Sequence, residues 1–281
     1  MSASGGAGQQ PSGATVTVAR RADGRRRRHF ITGAGSGIGA AVAATLYDRG
    51  DQLWLLARSD KRADDLAQNF PDARVIVGDL ANPTQLELIL ASAPLPGFLD
   101  SLLLIAGVIG FSRVVELSAG QLGEQVNVNL VAPMVLTRAL LPAVRAGRGL
   151  VLIANSTAIL SAGGGRSAYV ASKSGIRGFA DVLRAEESSH GVRVTTVFPG
   201  RTDTPMQKKV HEYEDKVYDA TQLMRPDTLA QSILHILDLP PDVTIQHLTV
   251  RPAPQQLDGK LADVPHFGFP RAIVEPSSSR Q

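Results

Sequence analysis

The sequence predicts a doubly wound α/β domain, one parallel sheet with helices on both faces. Three observations carry this. Short, strongly apolar strands alternate with amphipathic helices through most of the chain. The strands are apolar throughout, as in a sheet covered on both faces. A glycine cluster stands between the first strand and the first helix.

The first strand is read at 28–32. It runs into the glycines and then a helix over 38–49, closed by Gly50, a residue suited to the left-handed position after a helix. A strand over 53–57, a helix near 63–68, a strand over 74–77, a helix over 83–90 and a strand over 101–105 follow. Next come a long helix near 120–146, a strand over 149–154, a helix over 167–189 and a strand over 193–197. A less regular stretch, 201–224, precedes a last helix over 226–237 and a last strand over 244–250. No internal repeat is evident.

Composition narrows the chemistry. The 281 residues are 43% hydrophobic and contain no cysteine, which excludes disulfides, a thiol nucleophile and a Cys-ligated zinc site. The formal charge of +3 is local, because residues 1–28 hold six Arg against one Asp. The chain divides into an Arg-rich arm over 1–27, expected to be disordered, one α/β domain over 28–251, and a Pro-rich tail over 252–281. The apolar stretch 102–111 is about half the roughly 20 residues a bilayer needs, so no segment is expected to span a membrane. Arg27-Arg28 superficially resembles an export signal, but the residues after it are the glycine turn. The expected location is the cytoplasm.

Thr32-Gly33-Ala34-Gly35-Ser36-Gly37-Ile38-Gly39 ends a strand and opens a helix, where the pyrophosphate of a dinucleotide meets free N–H groups and the positive helix end. After the second strand, Ala57 stands where an acid would hold the ribose of NAD, with Arg58 beside it. A guanidinium suits a 2′-phosphate, so NADP(H) is expected, and Asp60 keeps NAD(H) open. Asp79-Leu80, after the third strand, offers an acceptor for an adenine amino group, or a helix cap. Tyr169 and Lys173 are four apart, on one face of a helix. A lysine cation favours the phenolate, which predicts a lowered Tyr169 pKa and a tyrosine able to exchange protons with a carbonyl or alcohol oxygen. Ser156, at the carboxyl end of a strand, lies at the sheet edge where ligands bind.

With these motifs in this order, together with Ala106-Gly107, Asn129 and Pro199-Gly200 followed by Thr204, the chain resembles the short-chain dehydrogenases/reductases over roughly 28–251. The resemblance implies a Rossmann fold in a single domain, a small carbonyl or alcohol substrate and a homodimer or homotetramer formed through the helices at 120–146 and 167–189. It implies Tyr169 as general acid/base, Ser156 steadying the substrate oxygen, Lys173 on the nicotinamide ribose and Asn129 holding a water in a proton relay. Gly33, Ser36, Gly37, Ile38, Gly39, Arg58, Asp79, Leu80, Ala106 and Gly107 would bind cofactor, and Pro199, Gly200, Thr202 and Thr204 would line the nicotinamide. Asn127 reads as structural. No metal is implied.

Two positions depart from the pattern. Relatives of this type carry Asn-Asn-Ala-Gly after the fourth strand, whereas this chain has Leu104-Ile105-Ala106-Gly107, which removes two polar side chains that brace the strands. Ser36 stands where many NADP-preferring relatives carry a basic residue. The segment 201–224 would form a lid offering Met206, His211, Tyr213, Tyr218 and Met224, with Lys208, Lys209, Glu212, Glu214, Asp215 and Lys216 facing water. The leading expectation is an NADP(H)-dependent oxidoreductase. The alternative is a non-catalytic dinucleotide-binding regulator whose basic arm contacts nucleic acid.

Overall fold

Apolar side chains at successive strand positions must go to opposite faces, and that alternation builds the layers. Phe30, Leu102, Leu104, Val151 and Ile153 enter one core, and Ile31, Leu103 and Leu152 enter the other. The computed structural model describes residues 24–161 and 163–253. Strands β1 (Arg28–Thr32), β2 (Gln52–Ala57), β3 (Arg74–Val77), β4 (Ser101–Leu104), β5 (Leu150–Ala154), β6 (Arg193–Pro199) and β7 (His247–Val250) form one sheet in the order β3-β2-β1-β4-β5-β6-β7. Every pairing is parallel. The order reverses between β1 and β4, which opens a crevice at their carboxyl ends.

Helices α1 (Gly37–Asp48) and α8 (Pro226–Asp238) cover one face, where Val42, Ala43 and Leu46 share a core with Leu229, Ala230 and Ile233. Gly50 takes the left-handed conformation (φ +78°), and its N–H and that of Asp51 return to the last carbonyls of α1. The other face carries α3 (Pro83–Ser92), α4 (Ala119–Val126), α5 (Ala132–Gly147) and α6 (Ser167–Glu187). Helices α2 (Asp60–Asn69) and α7 (Pro205–Tyr213) complete the set.

Three expectations change. The long helix near 120–146 is two α-helices joined by a π-helical turn, Asn127–Val131. The stretch 201–224 holds α7, for which the signal was present: Thr204 caps it through the Gln207 N–H (3.2 Å) and Pro205 opens it. The run Ala119–Gly147, taken as one helix, is long and apolar enough to cross a membrane by length and composition. Its apolar residues are interrupted by polar ones rather than forming one unbroken stretch, and Leu136, Leu140 and Val144 lie in the core. In the same core, Ile176, Ala180 and Leu183 account for the apolar stripe of α6.

Most of the arm and tail (1–23 and 254–281) lies outside the described residues. Arg25, Arg26 and Arg27, assigned to the arm, already touch the domain. Arg25 lies over the Phe98 ring (4.7 Å), Arg26 bonds the Gly50 and Asp51 carbonyls, and Arg27 pairs with Asp238 at 2.6 Å.

Candidate active site

The carboxyl ends of β1 to β4 open on a cavity of about 690 Å³, within the range of cofactor sites. Gly33, Ser36, Arg58, Asp79, Leu80, Ala106 and Gly107 line it. Its floor is bare backbone for steric reasons. Gly33 has φ +80°, and a Cβ there would stand 3.0 Å from the Ala106 backbone; one on Gly39 would stand 2.2 Å from the Gly33 carbonyl. The α1 amino end points its unpaired N–H groups toward this glycine turn. Gly37, Ile38 and Gly39 form the first turn of α1 and do not line the cavity.

Thr32 answers the loss of the two bracing side chains. Its hydroxyl accepts from the N–H groups of Ile105 (3.0 Å) and Ala106 (3.1 Å), tying β1 to the end of β4. Arg62 and Lys209 line the same cavity as Arg58, and sequence reasoning missed both. Arg62 had a signal: it follows Arg58 by one helical turn, just inside the cap that Ser59 makes for α2. Asp60 begins α2 and does not line the cavity. Asp79 accepts from the Ala81 N–H (2.9 Å) in a local turn and lines the crevice; the cap of α3 is Asn82, which accepts from the Gln85 N–H (3.2 Å). Asn127 donates to the Ala81 carbonyl (3.0 Å), a structural role. A glycine cradle at a helix amino end, beside three cations, fits a phosphorylated dinucleotide.

Asn129, Ser156, Tyr169 and Lys173 gather next to this crevice, and none of them lines it. Tyr169 and Lys173 are 5% and 4% exposed. Ser156 follows β5; its hydroxyl accepts from the Ala158 N–H (3.1 Å) and is near enough to the Tyr169 phenol to favour the phenolate. Lys173 Nζ donates to the Ala154 carbonyl at 2.7 Å. Asn129 sits in the π-helical turn, a feature frequent at functional sites. Its amide oxygen accepts from Val108 N–H (2.9 Å), and its nitrogen donates to the Val108 carbonyl (2.9 Å) and Ser172 Oγ (3.1 Å). A Cβ on Gly107 would lie 3.2 Å from Asn129 Oδ1 and 3.4 Å from Lys173 Nζ, so the turn after β4 passes directly over both.

Asn155 was missed as well. It accepts from the Ser156 N–H (2.8 Å) and donates to the Lys173 carbonyl (2.9 Å), locking the end of β5 to α6. No sequence signal separates it from any other residue at a strand end.

Burial sets the electrostatics. It pushes Lys173 down from 10.5 to about 8. It pushes the Tyr169 phenol up, against the Ser156 hydroxyl and the charge of Arg166. This corrects the expectation that Lys173 lowers the tyrosine: Lys173 is turned to Ala154, and the cation felt at the phenol is Arg166.

Pro199, Gly200, Thr202 and Thr204 stand at and after the end of β6, and Thr204 packs on the glycine turn. Gly200 N–H donates to Val250 O (2.7 Å), Thr202 is buried, and the Thr204 methyl would stand 3.0 Å from a Cβ on Gly37. None lines the 690 Å³ cavity, whereas Pro205 and Met206 of α7 do. The rest of the lid segment is docked. Tyr213 stacks on Phe111 (centroids 4.2 Å, 11°), and Ser112 N–H donates to Gly165 O (2.9 Å). Glu214 is not in water as expected, being 12% exposed and paired with Arg166, Arg201 (2.7 Å) and Lys216 (3.1 Å). His211 is buried, its Nδ1 held by the Gln207 carbonyl at 2.9 Å.

A family model described as short chain dehydrogenase matches residues 28–215. The chain belongs to the short-chain dehydrogenase family. An uncharacterized oxidoreductase of Staphylococcus haemolyticus is 27% identical over 227 residues, 79% of this chain and 96% of that one. Among solved structures, an alcohol dehydrogenase of Thermococcus sibiricus, complexed with 5-hydroxy-NADP, is 26% identical at a TM-score of 0.72, covering 83% of this chain and all of that one. A short-chain dehydrogenase of Streptomyces avermitilis is 26% identical at a TM-score of 0.69, covering 80% and 88%. The family match spans β1 to α7, and so takes in both the crevice and the Tyr169 cluster.

Proposed function

We propose that this oxidoreductase uses NADP(H) and interconverts a carbonyl with a secondary alcohol, with Tyr169 as the general acid/base. The convergence of Tyr169, Ser156, Lys173 and Asn129 beside a dinucleotide-sized crevice carries the reading. When bound, the nicotinamide supplies or accepts the hydride. The chain's own residues handle the proton and hold the substrate still. Ser156 steadies the substrate oxygen, and Tyr169 gives its proton to that oxygen in reduction or takes one in oxidation. Lys173 binds the nicotinamide ribose, and Asn129 holds the relay that reprotonates the site. Arg58, Arg62 and Lys209 support the choice of the 2′-phosphorylated cofactor, since their charges gather along one cavity. A panel of ketones and secondary alcohols assayed with NADP(H) and NAD(H) tests this. Turnover should need Tyr169; equal activity of Tyr169→Phe overturns the assignment.

The proposed assembly is a homodimer or homotetramer through the helices at 120–146 and 167–189, which leave Met134 and Val182 exposed. Sedimentation equilibrium at micromolar concentration would return a monomer if this is wrong.

A further inference from the structure

We infer that Arg166 anchors an acidic group on the substrate, so that the compound turned over is a carbonyl or alcohol bearing a carboxylate a few bonds from the reacting carbon. The inference rests on the reading of Tyr169 and Ser156 as the pair that handles the reacting oxygen.

Arg166 caps the amino end of α6, and Tyr169 lies one turn further on. Side chains so related stand roughly 5–6 Å apart at their Cβ atoms, which sets the short spacing between carboxylate and carbonyl. The guanidinium is close enough for its charge to act on the phenol. It is held over the Phe111 ring (5.9 Å) and against Glu214.

Two observations point to a ligand. The first is an orphan donor. Arg166 Nε is buried and has no hydrogen-bond partner among the described residues. An unmade bond of that kind is unfavourable unless something arrives to take it. The second is a surplus of charge. Arg166, Arg201 and Lys216 all face Glu214, whose carboxyl they hold down at about 2 against the cost of its burial. One carboxylate shared among three cations leaves Arg166 without a carboxylate of its own. A planar fork with a spare N–H suits a carboxylate, which it grips through two parallel bonds. The neighbouring Gly163-Gly164-Gly165 run offers no side chain to compete for that place. Gly165 must stay bare in any case, because it has φ +73° and a Cβ would meet the Tyr213 hydroxyl at 1.8 Å. Glu214 therefore acts as an internal stand-in, holding Arg166 in place until a substrate carboxylate shares it.

The test compares reduction of acetoacetate with its methyl ester, and of a 2-keto acid with its amide, by NADPH and the full-length protein. Wild type should favour the acids at least tenfold in kcat/KM. Arg166→Gln should collapse that preference through KM for the acids, leaving KM for the neutral partners within about twofold. Arg166→Lys should restore part of it. Glu214→Gln, which removes the competing carboxylate, should lower KM for the acids several-fold. The ratio between acid and neutral partner is the decisive readout, because a merely structural loss at Arg166 slows both alike. Turnover of the neutral compounds that needs Tyr169 but shows no acid preference, or a preference unchanged in Arg166→Gln, overturns the inference and leaves the functional reading intact. Absence of Tyr169-dependent turnover with either class overturns both.

Discussion

The sheet carries a buried polar cluster near each of its edges, and the two are instructive together. At the amino edge, His29 Nδ1 meets Ser101 Oγ at 2.7 Å and His29 Nε2 lies 3.4 Å from the Asp51 carboxylate, all three no more than 1% exposed. At the carboxyl edge, Asn129, Tyr169 and Lys173 are almost as deeply buried, with Ser156 half-buried, but they lie beside the dinucleotide-sized crevice. By residue type the first cluster is the better match to a familiar hydrolytic set, serine with histidine and aspartate. By position it is inert, because the crossovers and helix amino ends that receive ligands are at the other edge. Which edge a cluster occupies, and what opens beside it, says more about function than the residue types it contains.

The largest effects should separate the clusters cleanly. Tyr169→Phe should lower kcat by about 10²- to 10⁴-fold with the thermal midpoint nearly unchanged. His29→Leu should do the reverse. It strands the Asp51 carboxylate and should cost about 3–5 kcal/mol in urea unfolding, while kcat measured below the melting transition stays at the wild-type value. Activity lost in proportion at both sites would erase the distinction.

Lys173 sharpens it further, since the functional cluster should be bought at the expense of stability. Its drop from 10.5 to about 8 corresponds to about 3 kcal/mol against the fold. Below pH 8 both folded and unfolded chains carry the proton and the penalty is whole. Between about 8 and 10.5 only the unfolded chain keeps it, so wild-type stability rises with pH; above that range the penalty is gone. Lys173→Met should therefore be inactive yet more stable than wild type at pH 7, less the bond lost to Ala154, with the gap closing by pH 10. A variant less stable at both pH values would refute this.

Smaller effects belong to the crevice. Thr32→Val leaves the amides of Ile105 and Ala106 without their acceptor and should cost about 1–3 kcal/mol, with weaker cofactor binding by calorimetry. Arg58→Ala should weaken NADPH binding about tenfold, near 1.4 kcal/mol, and leave NADH unchanged. Loss of both cofactors equally would assign Arg58 to general attraction and pass the selection to Arg62 or Lys209.

The features legible in the sequence were local ones. The glycine turn, the Gly50 stop, the strand and helix alternation and the four-residue step from Tyr169 to Lys173 each declare themselves within a few residues. Others had a signal that was read too lightly, such as Thr204-Pro205 opening α7 and Arg62 one turn after Arg58. Asn155 and Thr32 had none, because an asparagine or threonine at a strand end becomes a brace only when a distant backbone is brought to it. The π-helical turn at Asn129 was hidden for a related reason: the apolar spacing of a long helix barely changes when one turn is widened.

The succession of strands and helices, the glycine turn and the residues at the ends of the first four strands were determined by the sequence alone, since periodicity and missing Cβ atoms are properties of short stretches of chain. The tertiary structure decided the rest. It turned Lys173 toward Ala154, raised the Tyr169 phenol, and gathered Arg166 and Arg201 on Glu214 from positions 48 and 13 residues away. Burial and charge are sums over everything packed around a group, and no stretch of sequence contains the neighbours that folding supplies.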